Sequence, residues 1–121
     1  MAKARVLLVE DEPMVAEFLT DMLTMLSLEV VAVTRPGQAL ELLAGSRFDL
    51  VLTDLMLPEM NGCSLIRRIR AEHAQLPLVL ISGNLGLGDG RACPEADLLL
   101  PKPLTFEHLR EMVARLLGPR D

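Results

Sequence analysis

The side chains best suited to chemistry in this chain stand at the ends of short apolar runs. Glu10, Asp11 and Glu12 follow Val6-Leu7-Leu8-Val9, Asp54 closes Leu50-Val51-Leu52-Thr53, Ser82 follows Leu78-Val79-Leu80-Ile81, and Lys102 stands just past Leu98-Leu99-Leu100. Carboxylates gathered at one place repel one another and resist ionisation. A hard divalent cation removes that conflict, and oxygen donors with retained waters suit Mg²⁺. Lys102 would add a positive point charge and Ser82 a hydroxyl. A carboxylate beside a metal, an ammonium and a hydroxyl suits a tetrahedral oxyanion such as phosphoryl, and an Asp carboxylate can itself be the nucleophile that takes it up.

Each of these residues alone has a plainer reading. Acids after a strand commonly complement the start of the next helix, which is all that is expected of Glu12, placed before Pro13. Asp54 alone reads as a turn residue, Lys102 as a solvated surface cation, and Ser82 before Gly83 as a turn hydroxyl. Their joint placement at successive strand ends favours a site.

The elements that must position them alternate. Five apolar runs, around residues 6–9, 30–33, 50–52, 78–81 and 98–100, read as strands buried on both faces, as in a parallel sheet. Between them lie stripes of helical spacing. Val15, Phe18, Leu19, Met22, Leu23 and Leu26 share one face of a helix that Pro13 can start. Ala39, Leu40 and Leu43 make a second. Leu65, Ile66 and Ile69 make a third, with Arg67, Arg68 and Arg70 expected to face water. Phe106, Leu109, Val113, Leu116 and Leu117 make the last, with Thr105 as N-cap and Gly118-Pro119 as the stop. Strands alternating with helices predict an α/β domain with a doubly wound, five-stranded parallel sheet and helices on both faces. In such sheets ligands sit beyond the carboxyl ends of the strands. If the first, third, fourth and fifth strands are neighbours, the four groups of polar residues converge. The stretch from Ser82 to Asp97, with Gly83, Gly86, Gly88, Gly90 and Pro94, predicts a loop or one short turn, so a helix there is short or irregular. Arg91-Ala92-Cys93 is its only helical candidate.

Composition narrows the function further. A length of 121 residues fits one domain, and a hydrophobic content of 50% supplies a core that excludes general disorder. Only 2% of residues are aromatic, so that core is aliphatic. A net charge of −5 argues against direct nucleic-acid binding, and no apolar run reaches the ~18 residues of a membrane span. The N-terminus lacks the long apolar stretch of a signal peptide. Cys63 and Cys93 have no metal-like spacing and read as two unpaired thiols of a cytoplasmic protein.

Four segments carry a resemblance that spans essentially the whole chain. They are Val6-Leu-Leu-Val-Glu-Asp-Glu-Pro13, Asp49-Leu-Val-Leu-Thr-Asp-Leu-Met-Leu-Pro-Glu-Met-Asn-Gly62, Pro77-Leu-Val-Leu-Ile-Ser-Gly83 and Leu100-Pro-Lys-Pro-Leu104. In order and near-family spacing they resemble the receiver domains of two-component response regulators, and the segment 49–62 is the most diagnostic. The resemblance implies a flavodoxin-like fold and a single receiver domain over 1–121. It implies that Asp54 is the phosphoacceptor, and that Glu10, Asp11, Asp54 and the backbone carbonyl of Met56 hold Mg²⁺. Ser82 would bond a phosphoryl oxygen, and Lys102 would pair with the same group through a strand end whose bond to Pro103 is cis. The donor would be a sensor histidine kinase or a histidine phosphotransfer protein, and the activity would be limited to self-phosphorylation and slow self-dephosphorylation. The output partner is unknown.

The chain departs from the family at Leu99, where relatives carry Tyr or Phe three residues before the Lys, and in a shorter, Gly-rich segment after Ser82. Ordering of the 83–94 stretch, rather than burial of an aromatic ring, is therefore the expected signal. The Leu-Pro-Lys-Pro-Leu ending resembles receivers fused to hybrid histidine kinases, so both a stand-alone receiver and a fragment of a larger protein remain readings. Two rivals differ in kind. An Asp-nucleophile phosphatase would need a second acid two residues after Asp54, where Met56 stands, and a substrate cap. A phosphorylation-independent binding module would be expected to lack the acceptor or the Lys, and both are present.

Overall fold

Residues 3–83 and 93–118 are described by a computed structural model of the chain. The elements are β1 (Arg5–Val9), α1 (Pro13–Met25), β2 (Glu29–Val33), α2 (Pro36–Gly45), β3 (Leu50–Asp54), α3 (Gly62–Glu72), β4 (Leu78–Ser82), β5 (Leu98–Pro101) and α4 (Phe106–Leu117). The helix candidate around residues 91–93, between β4 and β5, lies largely outside the described residues, and Cys93 itself is not helical.

The five strands form one parallel sheet in the order β2-β1-β3-β4-β5. The chain leaves β1 for β2 on one side and returns to β3 on the other. The crevice between the carboxyl ends of β1 and β3 is thus the topological switch point, where this fold class binds ligands. The condition set by the sequence is met, since β1, β3, β4 and β5 are consecutive neighbours.

Alternation within the apolar runs builds two cores. Val6, Leu8, Leu50, Leu52, Val79 and Ile81 point to the side covered by α1 and α4, through Leu19, Leu23, Leu109 and Val113. Leu7, Val9, Val51, Leu78 and Leu80 point to the other side, against Ala39 and Leu43 of α2 and Leu65, Ile66 and Ile69 of α3. Burial on both faces holds for β1, β3 and β4. It fails for β2 and β5, which lie at the edges and keep exposed or half-buried positions. Thr105 caps α4 as expected, accepting a hydrogen bond from the His108 backbone N–H at 3.1 Å.

The side chains depart from their sequence reading in three places. Phe18 lies at the margin of the α1 stripe and is 53% exposed instead of joining the core. Arg70 does not simply face water. Its Nη1 donates to the carbonyls of His73, Ala74 and Leu76 at 3.2, 3.0 and 2.8 Å, and its Nη2 to the Glu95 carbonyl at 3.0 Å and Asp97 Oδ2 at 2.7 Å. Asp97 Oδ2 also accepts from the Leu78 backbone N–H at 2.8 Å. One guanidinium therefore ties the end of α3 to the starts of β4 and β5, with planar multi-donor geometry that Lys cannot reproduce. Arg70→Met keeps the apolar stem and removes the donors. It is expected to lower stability by about 2 kcal/mol, since several charge-assisted bonds are lost from a half-buried site. Urea denaturation at neutral pH checks this; a loss below about 0.5 kcal/mol, the level of an ordinary surface change, would mean the network contributes little.

The third difference concerns the cysteines. Cys63 and Cys93 are not unpaired thiols but form a disulfide, with Cα atoms 5.6 Å apart across 30 residues of sequence. Both are buried. Spacing along the chain carried no sign of this pairing. The fold creates it by laying the first turn of α3 beside the segment that enters β5.

Candidate functional site

β3 is central and wholly buried, so its last residue, Asp54, is delivered to the switch point on a rigid backbone. The Asp54 side chain is 3% exposed. Its Oδ2 accepts from Lys102 Nζ at 2.9 Å, and its Oδ1 from the Met56 backbone N–H at 3.4 Å. Lys102 follows β5 immediately, its own backbone N–H donating to the Ser82 carbonyl at 3.2 Å, so the end of β4 positions the ammonium. The Lys102–Pro103 bond is cis.

Glu10 follows β1 and is 1% exposed. Its Oε2 accepts from the Glu12 backbone N–H at 3.1 Å, while its Oε1 is buried without a hydrogen-bond partner among the described residues. Burial raises the Glu10 pKa to about 7. The Glu12 amide opposes this rise, the neighbouring Asp54 carboxylate adds to it, and Lys102 partly offsets it. At Lys102 burial acts to lower the pKa, but the hydrogen bond to Asp54 and the charges of Asp54, Glu10 and Glu12 outweigh it, and the net shift is upward. The ammonium is therefore held charged by the acids it faces.

Carboxylate oxygens of Glu10, Asp11 and Asp54 all lie within 4.8 Å of one another. Glu10 and Asp54 are buried, and Asp11 is exposed at the rim. The residues fit a hard cation on an observation independent of any family pattern: a buried, unpartnered carboxylate oxygen beside two further carboxylates. Ser82, 2% exposed, ends β4 beside β3, in register with Pro101 of β5. All the side chains singled out in the sequence thus come to one edge of the sheet. Met56 is 70% exposed in the turn after β3.

Two features of the site go beyond the sequence reading, a close approach at Gly62 and an apolar groove. Gly62 starts α3 against the Asp54 backbone, where a Cβ would stand 2.1 Å from the Asp54 carbonyl oxygen. Phe18, Val15, Leu104 and Pro103 line an apolar groove of about 390 Å³ that opens beside Glu10 and Lys102. Helical periodicity marked Phe18 as apolar but could not say which edge of the stripe lacks cover. Leu99, at the usual aromatic position, is half-buried against the core on the α2/α3 side.

The fold is thus a parallel α/β domain whose switch point gathers acids from the ends of β1 and β3, a hydroxyl from β4 and a Lys from the end of β5. The family model for the response regulator receiver domain matches residues 6–114, and the chain belongs to that family. It functions as a receiver domain of two-component signal transduction. Response regulator protein PilR of Pseudomonas aeruginosa is 35% identical over all of this chain, which covers 28% of that protein. Sensor histidine kinase RcsC of Salmonella typhi is 32% identical over 90% of this chain, which covers 12% of RcsC. The chain thus spans a minor part of these relatives. Among solved structures, the receiver domain of a Pseudomonas aeruginosa PAO1 sensor histidine kinase, with a magnesium ion coordinated in its active site cleft, superposes with a TM-score of 0.89 at 30% identity, covering 97% of this chain and 99% of that one. Response regulator protein TrrA of Thermotoga maritima, in complex with Mg²⁺-BeF, gives 0.87 at 26% identity, covering 93% and 98%. No helix among the described residues is long and apolar enough to cross a membrane.

Proposed function

We propose that this chain, as one receiver domain over residues 1–121, takes a phosphoryl group from a phosphohistidine onto the Asp54 carboxylate and thereby changes its affinity for an output partner. The observation that carries this reading is the pairing of Lys102 Nζ with Asp54 Oδ2 at 2.9 Å, beside the unpartnered Glu10 Oε1. An Asp54 oxygen attacks phosphorus, the P–N bond of the donor breaks, and the electron pair leaves with the imidazole. Lys102 then exchanges its bond to the carboxylate for one to a phosphoryl oxygen, and the Ser82 hydroxyl donates to another. Glu10, Asp11, Asp54 and the Met56 backbone carbonyl would hold Mg²⁺, which when bound supplies the positive charge that offsets the acids and the transferring phosphoryl. Turnover is confined to this self-phosphorylation and to slow hydrolysis of the chain's own acyl phosphate.

The donor is a sensor histidine kinase or a histidine phosphotransfer protein in the cytoplasm. The groove beside the site, with Phe18 and Met14 exposed on α1, suits an apolar helical face of that donor. Neither direct nucleic-acid contact nor membrane insertion is part of the reading. The test is incubation with acetyl phosphate and Mg²⁺ followed by intact mass. The wild type gains one phosphoryl, and Asp54→Asn gains none. Equal labelling of both would sink the assignment.

A further inference from the structure

The Cys63–Cys93 bridge joins the two pieces of backbone that build the phosphoryl site from opposite sides. Cys63 is the second residue of α3. Its neighbour Gly62 donates its N–H to the Leu55 carbonyl at 2.8 Å and leaves no room for a Cβ against the Asp54 carbonyl. The first turn of α3 therefore backs directly onto the residue carrying the acceptor carboxylate. Cys93 opens the segment that leads into β5, its carbonyl accepting from the Ala96 N–H at 3.2 Å, with the Asp97 N–H then bonded to the Leu78 carbonyl at 2.7 Å. That strand ends at the residue before Lys102. The bridge thus ties the support of Asp54 to the strand that delivers its ammonium partner.

The same two pieces are also clasped without the bridge. Arg67 pairs with Glu95 at 3.3 Å, and Arg70 binds the Glu95 carbonyl and Asp97. A second set of contacts, made by atoms other than the sulfurs, therefore also joins α3 to the entrance of β5. A bond that the fold does not need for docking, between two buried cysteines beside a site that must rearrange, is suited to opening and closing. Disulfides in a reducing compartment are typically transient or redox-sensing.

We propose that Cys63 and Cys93 form a reversible disulfide that restrains phosphorylation when closed and releases it when opened by a dithiol reductant. This rests on Asp54 being the phosphoacceptor. Opening balances as a two-electron exchange. A reductant thiolate attacks one cysteine sulfur, the Sγ–Sγ bond breaks, and a mixed disulfide forms. The second reductant thiol then displaces it, leaving two cysteine thiols and an oxidised, cyclised reductant, with both protons coming from the reductant. Closure is the reverse exchange with a small disulfide such as oxidised glutathione, which leaves as two thiols. Taking up phosphoryl requires Lys102 to leave Asp54 Oδ2 and follow the new oxygens. In the closed form the bridge adds a covalent restraint on that relative movement of the β3 and β5 ends to the Arg67 and Arg70 contacts that both forms keep.

The experiment compares the folded chain closed with oxidised glutathione, the same chain opened with dithiothreitol, and Cys63→Ser/Cys93→Ser. Thiol state is read by alkylation and mass, and phosphorylation by the rate of acetyl phosphate labelling with Mg²⁺. The open chain is expected to label about fivefold faster or more, within the usual range of coupling between two sites, and to slow again on reoxidation. The double variant should match the open rate and ignore both reagents. If that variant fails to fold, the open wild type still decides. Equal rates in both states, faster labelling of the closed chain, or reduction only after unfolding would each overturn the proposal. So would stoichiometric zinc capture by the open chain through Cys63, Cys93 and Glu95, which also lie within ligand distance of one another. Hydrogen exchange of amides 55–65 in the two states separates the failures. No labelling in either state with unequal exchange sinks the Asp54 assignment but supports the mechanical tie, whereas equal exchange sinks the tie itself.

Discussion

Replacing Glu10 by Gln is expected to stabilise the metal-free protein by about 3 kcal/mol at pH 8 and to have little effect near pH 5, a pH-dependent gain set by the upward pKa shift. Glu10 has its pKa raised from 4.5 to about 7 because burial disfavours its charge and Asp54 lies beside it. The folded state therefore holds a proton that the unfolded chain has released. Below pH 4.5 both states are protonated and the residue is neutral toward stability. As pH rises from 4.5 to 7 the unfolded state ionises first, so stability falls, and above 7 the full penalty is present. Gln removes the titration and keeps the useful geometry. Its carbonyl can accept from the Glu12 N–H as Glu10 Oε2 does, and its amide donors face the Asp54 carboxylate. The measurement is urea denaturation of both proteins at pH 5 and 8 in a chelator. Millimolar Mg²⁺ at pH 8 should narrow the difference, because a ligand that binds only the folded wild-type site adds stability there. A pH-independent difference between the two proteins would mean that Glu10 does not titrate in this range.

How much of this could be read from the chain follows from what each signal encodes. Strand runs such as Leu7-Leu8-Val9 and Leu50-Val51-Leu52 are legible because burial on two faces demands unbroken apolar residues, and the polar residue ending each run marks the sheet's carboxyl edge. The convergence of Glu10, Asp54, Ser82 and Lys102 then needs only the strand order, which alternation with helices nearly dictates. What the sequence could not distinguish was the inequality within the acidic group. Glu10 and Asp11 are adjacent acids in the chain, yet one is buried with an unpartnered oxygen and the other lies at the rim.

Side chains whose partners come from distant segments are illegible in the sequence for a related reason. Arg70 sits on the polar side of the α3 pattern, but its partners come from the turn after the helix and from the segment entering β5. Cys63 and Cys93 are 30 residues apart, and only tertiary structure brings them together. Edge position explains the remaining discrepancy, since the apolar run of β2 resembles that of β1 while one side of its ladder has no neighbouring strand among the described residues.

Gly62→Ala is expected to be the most damaging alanine replacement among the described glycines, costing about 3 kcal/mol or more, the upper range for forced overpacking. The added Cβ would stand 2.1 Å from the Asp54 carbonyl oxygen, 2.9 Å from its carbon and 2.9 Å from Leu80 Cδ1. Leu80 alone could rotate away. The backbone of β3 cannot, because it is fully buried between β1 and β4, and the Asp54 carbonyl is further fixed by the Thr53 hydroxyl at 3.0 Å. Nor can α3 retreat freely, since Gly62 N–H is bonded to the Leu55 carbonyl and Leu65, Ile66 and Ile69 are packed into the core. Relief must come from tilting the first turn of α3 or displacing the end of β3, and either moves Asp54 away from Lys102. Acetyl phosphate labelling should therefore fall even in the fraction that stays folded. Gly37 and Gly45 supply the control, because a Cβ at either meets nothing within 4 Å. Both lie in α2, where Ala in place of Gly should add up to about 1 kcal/mol through helix propensity. Denaturation curves and labelling rates of the three alanine variants decide the matter. If Gly62→Ala behaved like Gly37→Ala, the close approach of α3 to the Asp54 backbone would not be what holds the site.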